Sequence, residues 1–305
     1  MAVELKLGVN TCFAAKRWTE PEEWAQIMVE TLQLHTCQLS LDLLDTSLSE
    51  VVTGQYAEAV RDAVRSHNIE LHSTFTGMVA YSGNGMLHPM LEARDAAQGW
   101  FERAIDFTAA AGGRGTGGYL GSFSSVDAGS SARREELLAE LKRRMGSLAS
   151  YAGLRGLEFL MFENMSGPLE YGRRLDEAHW LDAVGAASTP RWVLCLDVGH
   201  TVVLSDDIPQ IRGQKWIGEE WQSSPVLQLQ QTSRGADCHW PFTAARNQEG
   251  LVDGLSVVEA LEEHCSEGTV YMFLEVIHSP EVPESVALRE LQESVEYWRS
   301  RGAVA

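Results

Sequence analysis

Residues 5–41 read LKLGVNTCFAAKRWTEPEEWAQIMVETLQLHTCQLSL, and their pattern decides the fold. Two short β-rich runs, at 5–11 and 36–41, flank an amphipathic stretch at 21–34 that opens on Pro21, where a first helical turn tolerates proline. The same alternation continues to the end of the chain. Further strands are expected at 69–75, 114–118, 157–163, 192–197, 226–232 and 270–276, and helices at 55–67, 91–111, 132–152, 176–187, 210–221, 256–265 and 283–301. Apolar strands alternating with helices imply a parallel sheet covered by helices. Eight such units in 305 residues fit a closed (β/α)8 TIM barrel better than an open doubly wound sheet. No linker or composition break divides the sequence, so residues 1–305 are expected to form a single TIM-barrel domain.

The formal charge is −19, with 44% hydrophobic and 22% charged residues and no repetitive tract, as in a folded globular chain. That surplus repels a phosphate backbone, and the longest basic cluster is Lys142-Arg143-Arg144, which argues against nucleic acid and anionic membrane as partners. The longest stretch without Asp, Glu, Lys or Arg, residues 71–91, holds two His, three Gly, an Asn and a Pro, so it reads as a loop-bearing segment rather than a membrane span. Glu4 and Lys6 interrupt what would have to be the apolar part of a secretory signal, so a cytoplasmic location is expected. The five cysteines are odd in number, widely spaced and without a CxxC pair, and read as reduced thiols. Apolar helix faces would support a homo-oligomer, although no seam is readable.

In a TIM barrel the chemistry gathers at the C-terminal ends of the strands. Three strands end there in an acid: LEFLMFEN gives Glu163, WVLCLDVGH gives Asp197 and VYMFLEV gives Glu275. A single such acid serves more often as a cap or an ion-pair partner, but three desolvated carboxylates on one rim ask for a cation. The seventh strand, PVLQLQQTS, adds Gln228 and Gln230, two apart and so on one side of the sheet. Two Glu, one Asp and one Gln form an oxygen set that suits Mn²⁺ or Mg²⁺ better than zinc. His200 in DVGH, His239 in ADCHW and His72 in IELHSTF are candidate substrate contacts, and Lys16, Arg17 and Arg234 are loop cations that could hold a phosphate or carboxylate. Gly113, Gly115 and Gly118 spell GxGxxG, but YLGSFSSVDAG follows where a helix should open, which argues against dinucleotide binding.

FEN at Glu163, CLDVGH at Asp197 and His200, QLQQTSRGADCHW and FLEV at Glu275 together resemble the xylose isomerase-like TIM-barrel superfamily over essentially the whole chain. The resemblance implies a sugar or sugar-phosphate isomerase or epimerase. Glu163, Asp197, a strand-seven residue and Glu275 would be the ligands of Mn²⁺ or Mg²⁺, with Co²⁺ and Zn²⁺ as alternatives, and Glu163 and Glu275 would double as the acid/base pair. His200 and Arg234 would contact substrate. Many family members have His at strand seven where this chain has Gln228, and an alternative alignment places Gln230 there instead. NTCFAAKRW, HSTFTG, NGMLHP and LQLQQT look most like the tetrulose-phosphate (erythrulose-phosphate) epimerase or racemase group. The expected reaction is proton removal and return at one carbon through an enediolate at the ion, on a ketose or ketose phosphate. The runner-up is a lyase on the same scaffold, such as a 3-oxo sugar acid decarboxylase or a C-glycoside-deglycosylating subunit. A non-catalytic sugar-binding barrel is a further alternative. An endonuclease IV-like function is disfavoured by missing His residues and the charge.

Overall fold

A computed structural model of the chain describes residues 3–203, 209–220, 225–265 and 268–304. Ten strands occur among these residues: β1 (Glu4–Asn10), β2 (Thr36–Ser40), β3 (Glu70–Phe75), β4 (Gly115–Gly118), β5 (Phe159–Glu163), β6 (Arg191–Asp197), β7 (Val226–Leu229), β8 (Gln231–Ser233), β9 (Ala236–Trp240) and β10 (Thr269–Leu274). Eight of them close into a barrel in the order β1-β10-β7-β6-β5-β4-β3-β2, and the other two form a separate ribbon. All eight expected strands are present, and the chain folds as the TIM barrel that their alternation with helices required.

The main departure lies at the seventh barrel strand. It was expected to run to residue 232 but stops at Leu229; after Gln230 the chain enters the antiparallel β8–β9 hairpin, with Gln231 opposite Trp240 and Ser233 opposite Ala236. Arg234 and Gly235 make the turn, where a φ of +76° suits glycine. The expected helix at 21–34 is α-helical over Pro21–Gln26 and continues as a π-helix over Ile27–Leu32. The helix expected at 210–221 is Pro209–Glu220, and residue 221 lies outside the described residues.

Two compact units divide the chain. The first comprises Met1–Leu39, Asp62–Glu70 and Cys195–Ala305. Here β1 pairs in parallel with β10 along six residues, β10 with β7, and β7 with the end of β6, where Asp197 stands opposite Gln228. Leu7, Val9, Phe273 and Trp298 are fully buried among these elements. Gly8 cannot carry a side chain, because a Cβ there would meet the Thr36 carbonyl oxygen and the Phe273 ring.

The second unit comprises Ser40–Arg61 and Leu71–Leu194. Its strand β4 reads GTGG, a poor strand sequence by propensity, yet the space is needed: the Phe159 ring occupies the volume beside Gly115. Gly115, one of the glycines of the GxGxxG spelling, therefore serves strand packing. Outside the strands, Arg94 on the helix Leu91–Ala111 bonds Glu140 on the helix Ser131–Leu154, and Arg144 bonds Glu140 and Asp95. Arg94, Glu140 and Arg144 are all mostly buried, and Glu140 is held below its usual pKa because the two guanidiniums outweigh its desolvation.

Candidate active site and metal centre

Glu163 and Asp197 are the last residues of β5 and β6, and Glu275 follows β10 directly. All three are buried, with Asp197 at 0% exposure. Glu163 belongs to the second unit and the other two to the first.

Within the first unit two hydrogen-bonded groups meet these acids. The amide NH₂ groups of Asn10 and Gln228 bind one oxygen of Glu275 and the side-chain oxygen of Gln38. Asn10 Nδ2 donates to Gln38 Oε1 (2.8 Å) and Glu275 Oε1 (3.3 Å), and Gln228 Nε2 donates to the same two oxygens (2.9 and 3.0 Å). Both NH₂ groups are thereby spent. Two buried oxygens remain without a hydrogen-bond partner, Gln228 Oε1 and Glu275 Oε2.

The second group hangs from the hairpin. Gln230 donates to Asp197 Oδ2 (2.9 Å) and Asp237 Oδ1 (2.8 Å) and accepts from the His239 backbone N–H (2.7 Å). His200 Nε2 lies 2.8 Å from Asp237 Oδ2. His239 Nδ1 lies 3.6 Å from Glu275 Oε2, its backbone held at a φ of +46°, an uncommon conformation for a residue other than glycine. Ligand atoms of Asp197, His200 and His239 lie within 4.8 Å of one another.

The electrostatics follow from burial and these contacts. Burial pushes Glu275 up to about 8, with Asp197 and Asp237 adding to the rise and His239 and His200 opposing it. Burial alone would lower His239, but its bond to Asp237 and the charges of Glu275, Asp237 and Asp197 raise it to about 10. Burial would likewise raise Asp237, yet the facing His200 and His239 hold it far below the ordinary carboxylate range.

A sequence model for the xylose isomerase-like TIM barrel matches residues 29–300. The chain belongs to the xylose isomerase-like TIM-barrel family. It is 25% identical over 297 residues to the D-erythrulose 1-phosphate 3-epimerase of Brucella abortus, an alignment that covers 96% of this chain and 95% of that protein. A crystal structure from Rhodospirillum rubrum, provisionally called a xylose isomerase, superposes with a TM-score of 0.89 at 29% identity over 99% of this chain and all of that one. The D-allulose 3-epimerase of Methylomonas sp., at 15% identity and a TM-score of 0.69, covers 99% of this chain and all of its own, and shares the fold. As a member of this family the protein is an enzyme of the isomerase and epimerase class.

The remaining candidates lie after β1, at the hairpin turn and within β3. Lys16 is exposed in a left-handed conformation, φ +63°, and Arg17 donates to the Ser279 carbonyl oxygen at 2.6 Å. Arg234 is exposed at the hairpin turn. His72 lies three residues before the end of β3, buried with its ring 5.2 Å from that of Phe159, the first residue of β5, so it stands toward the opposite end of its strand. Neutral Asn10 and Gln38 carry no pattern that marks them in the sequence, and Asp237 is marked only by its place two residues before His239 on β9.

No disulfide joins any of the five cysteines, all of which lie among the described residues. No helix among the described residues is long and apolar enough to cross a membrane.

Proposed function

We propose that this enzyme epimerises or isomerises a ketose or ketose phosphate, a tetrulose phosphate being favoured, using a divalent ion, Mn²⁺ or Mg²⁺, and two glutamates. The observation that carries the reading is the pair of buried oxygens without partners, Gln228 Oε1 and Glu275 Oε2, beside the fully buried Asp197. Leaving such atoms unsatisfied costs free energy, and oxygen donors of this kind fit a hard cation.

Glu163, Asp197, Gln228 and Glu275 would hold the ion. Glu163 joins the set because β5, like β6, ends in an acid. A bound divalent ion supplies Lewis acidity to a sugar carbonyl and its neighbouring hydroxyl. The side chains do the rest. One of the two glutamates, Glu163 or Glu275, takes the proton from the carbon between those groups, and the other returns one. Inversion requires the two to act on opposite faces of the planar enediolate, whereas return to the adjacent carbon would interconvert aldose and ketose. His200 and His239 would bind substrate hydroxyls. Lys16, Arg17 and Arg234, on loops at the strand ends, would meet a phosphate. The phosphorylated tetrulose is favoured by the Brucella relative, named for D-erythrulose 1-phosphate.

The test is to incubate the Mn²⁺-loaded protein in D₂O with tetruloses, pentuloses, hexuloses and their phosphates, and to follow deuterium at the α-carbon by NMR. Incorporation without change in the carbon skeleton is expected. Glu163→Gln and Glu275→Gln should each slow it by about 10²–10⁴-fold. Undiminished exchange in either variant would refute the two-base assignment.

A further inference from the structure

We infer that Asn10, Gln38 and Gln228 form a positioning device that turns Glu275 and aims its second oxygen, together with Gln228 Oε1, at the cation; this rests on the metal-dependent reading above. The four side chains come from β1, β2, β7 and the residue after β10, and each is buried, with Asn10, Gln38 and Gln228 at 0% exposure. Their bonds close a ring. Two NH₂ groups, of Asn10 and Gln228, alternate with two oxygens, Gln38 Oε1 and Glu275 Oε1, and each NH₂ gives one hydrogen to each oxygen.

This ring fixes orientations that single contacts would leave open. Turning the Gln228 amide over would set its oxygen against two acceptors, so the orientation with Oε1 outside the ring is the one that satisfies the neighbours. Asn10 is fixed from its other side, because its Oδ1 accepts the Cys12 N–H at 2.9 Å. Glu275 Oε1 is occupied by two N–H donors, and its partner Oε2 has none. Gln38 is the hub: it touches neither unpartnered oxygen, yet its single Oε1 holds both amides that define them. Asn10 and Gln38 are therefore positioning residues, acting on the ion and the substrate through Gln228 and Glu275.

Outer groups that orient metal ligands typically cost about 10–100-fold in metal affinity or activity when lost. Gln38→Met keeps a comparable volume and removes the hub, while Gln38→Glu keeps an acceptor for both amides. Mn²⁺ affinity is read from the electron paramagnetic resonance signal of the free ion, and kcat and KM are read separately. Gln38→Met should weaken Mn²⁺ binding about 10–100-fold and lower kcat, with little change in KM for the sugar. Gln38→Glu should restore most of the affinity. Asn10→Ser retains an acceptor for the Cys12 N–H, removes one corner of the ring, and gives the smaller loss; it provides the measurement if Gln38→Met fails to fold. Wild-type Mn²⁺ affinity in folded Gln38→Met, or in Asn10→Ser should the former not fold, would overturn the inference while leaving the metal reading intact. A wild-type protein that takes up no Mn²⁺ would overturn both.

Discussion

At the scale of single residues, Glu275 and His239 hold their protons more tightly in the folded chain than they would free. Burial drives the first; the bond to Asp237 and nearby negative charges drive the second against burial. For Glu275 the destabilisation is absent below the usual carboxylate pKa and grows until about 8. For His239 the stabilisation is complete below the usual imidazole pKa and is lost on approach to about 10. Both make the folded state bind more protons than the unfolded one, so stability falls as pH rises. Asp237, depressed in the fold, already contributes fully in this window. The metal-free protein should therefore melt at a lower temperature at pH 9 than at pH 6. A calorimetric Tm that stays level or rises across that interval would contradict the assignment.

At the scale of elements, the helices Leu91–Ala111 and Ser131–Leu154 are joined through Glu140, which faces two guanidiniums in a mostly buried setting. Removing one partner of such a group leaves charge uncompensated, at a cost of about 3–5 kcal/mol. Glu140→Ala should lower the denaturation midpoint accordingly and leave KM unchanged, since the partners it loses, Arg94 and Arg144, are not candidate site residues. The hairpin makes a different prediction. Gly235 sits at a φ of +76°, and placing alanine there costs roughly 1–2 kcal/mol. Because the hairpin carries Asp237 and His239, Gly235→Ala should affect kcat as well as Tm, unlike Glu140→Ala. A normal kcat in the glycine variant would show that the turn does not set the position of these side chains.

The difference between what was legible and what was not has a physical basis at this scale. A carboxylate that interrupts an apolar run, as at Glu163, Asp197 and Glu275, is costly enough to stand out in sequence. Neutral amides such as Asn10 and Gln38 carry no such signal, because hydrogen-bonded Asn and Gln serve many ends. The alternating residues QLQQTS continue a β pattern past Leu229, so the pattern does not mark where the barrel strand ends and the ribbon begins. Strand β4 was found despite its glycines, but the reason for Gly115, the Phe159 ring, is a contact 44 residues away and invisible to local reading.

At the scale of the whole molecule, a ligand that binds the folded chain alone stabilises it by mass action. The effect is about 2.7 kcal/mol when the free ion stands at 100 times its Kd. Mn²⁺ should therefore raise Tm, and EDTA should reverse the gain and abolish exchange at carbon. At the proposed metal site Glu275 would have to ionise before binding the ion, so uptake of the ion should release protons and the thermal gain should be larger at pH 9 than at pH 6. An exchange activity that survives complete chelation would remove the Lewis acid from the reaction.

The amide ring and the ribbon divide the labour of the mouth in a way that matters for engineering. Carboxamides do not titrate, so Asn10, Gln38 and Gln228 keep their charge state whatever the acidity of the medium, whereas His239 on the ribbon responds to it. A variant meant to work in a more acidic or alkaline reactor should be sought by editing the ribbon, with the amides left alone.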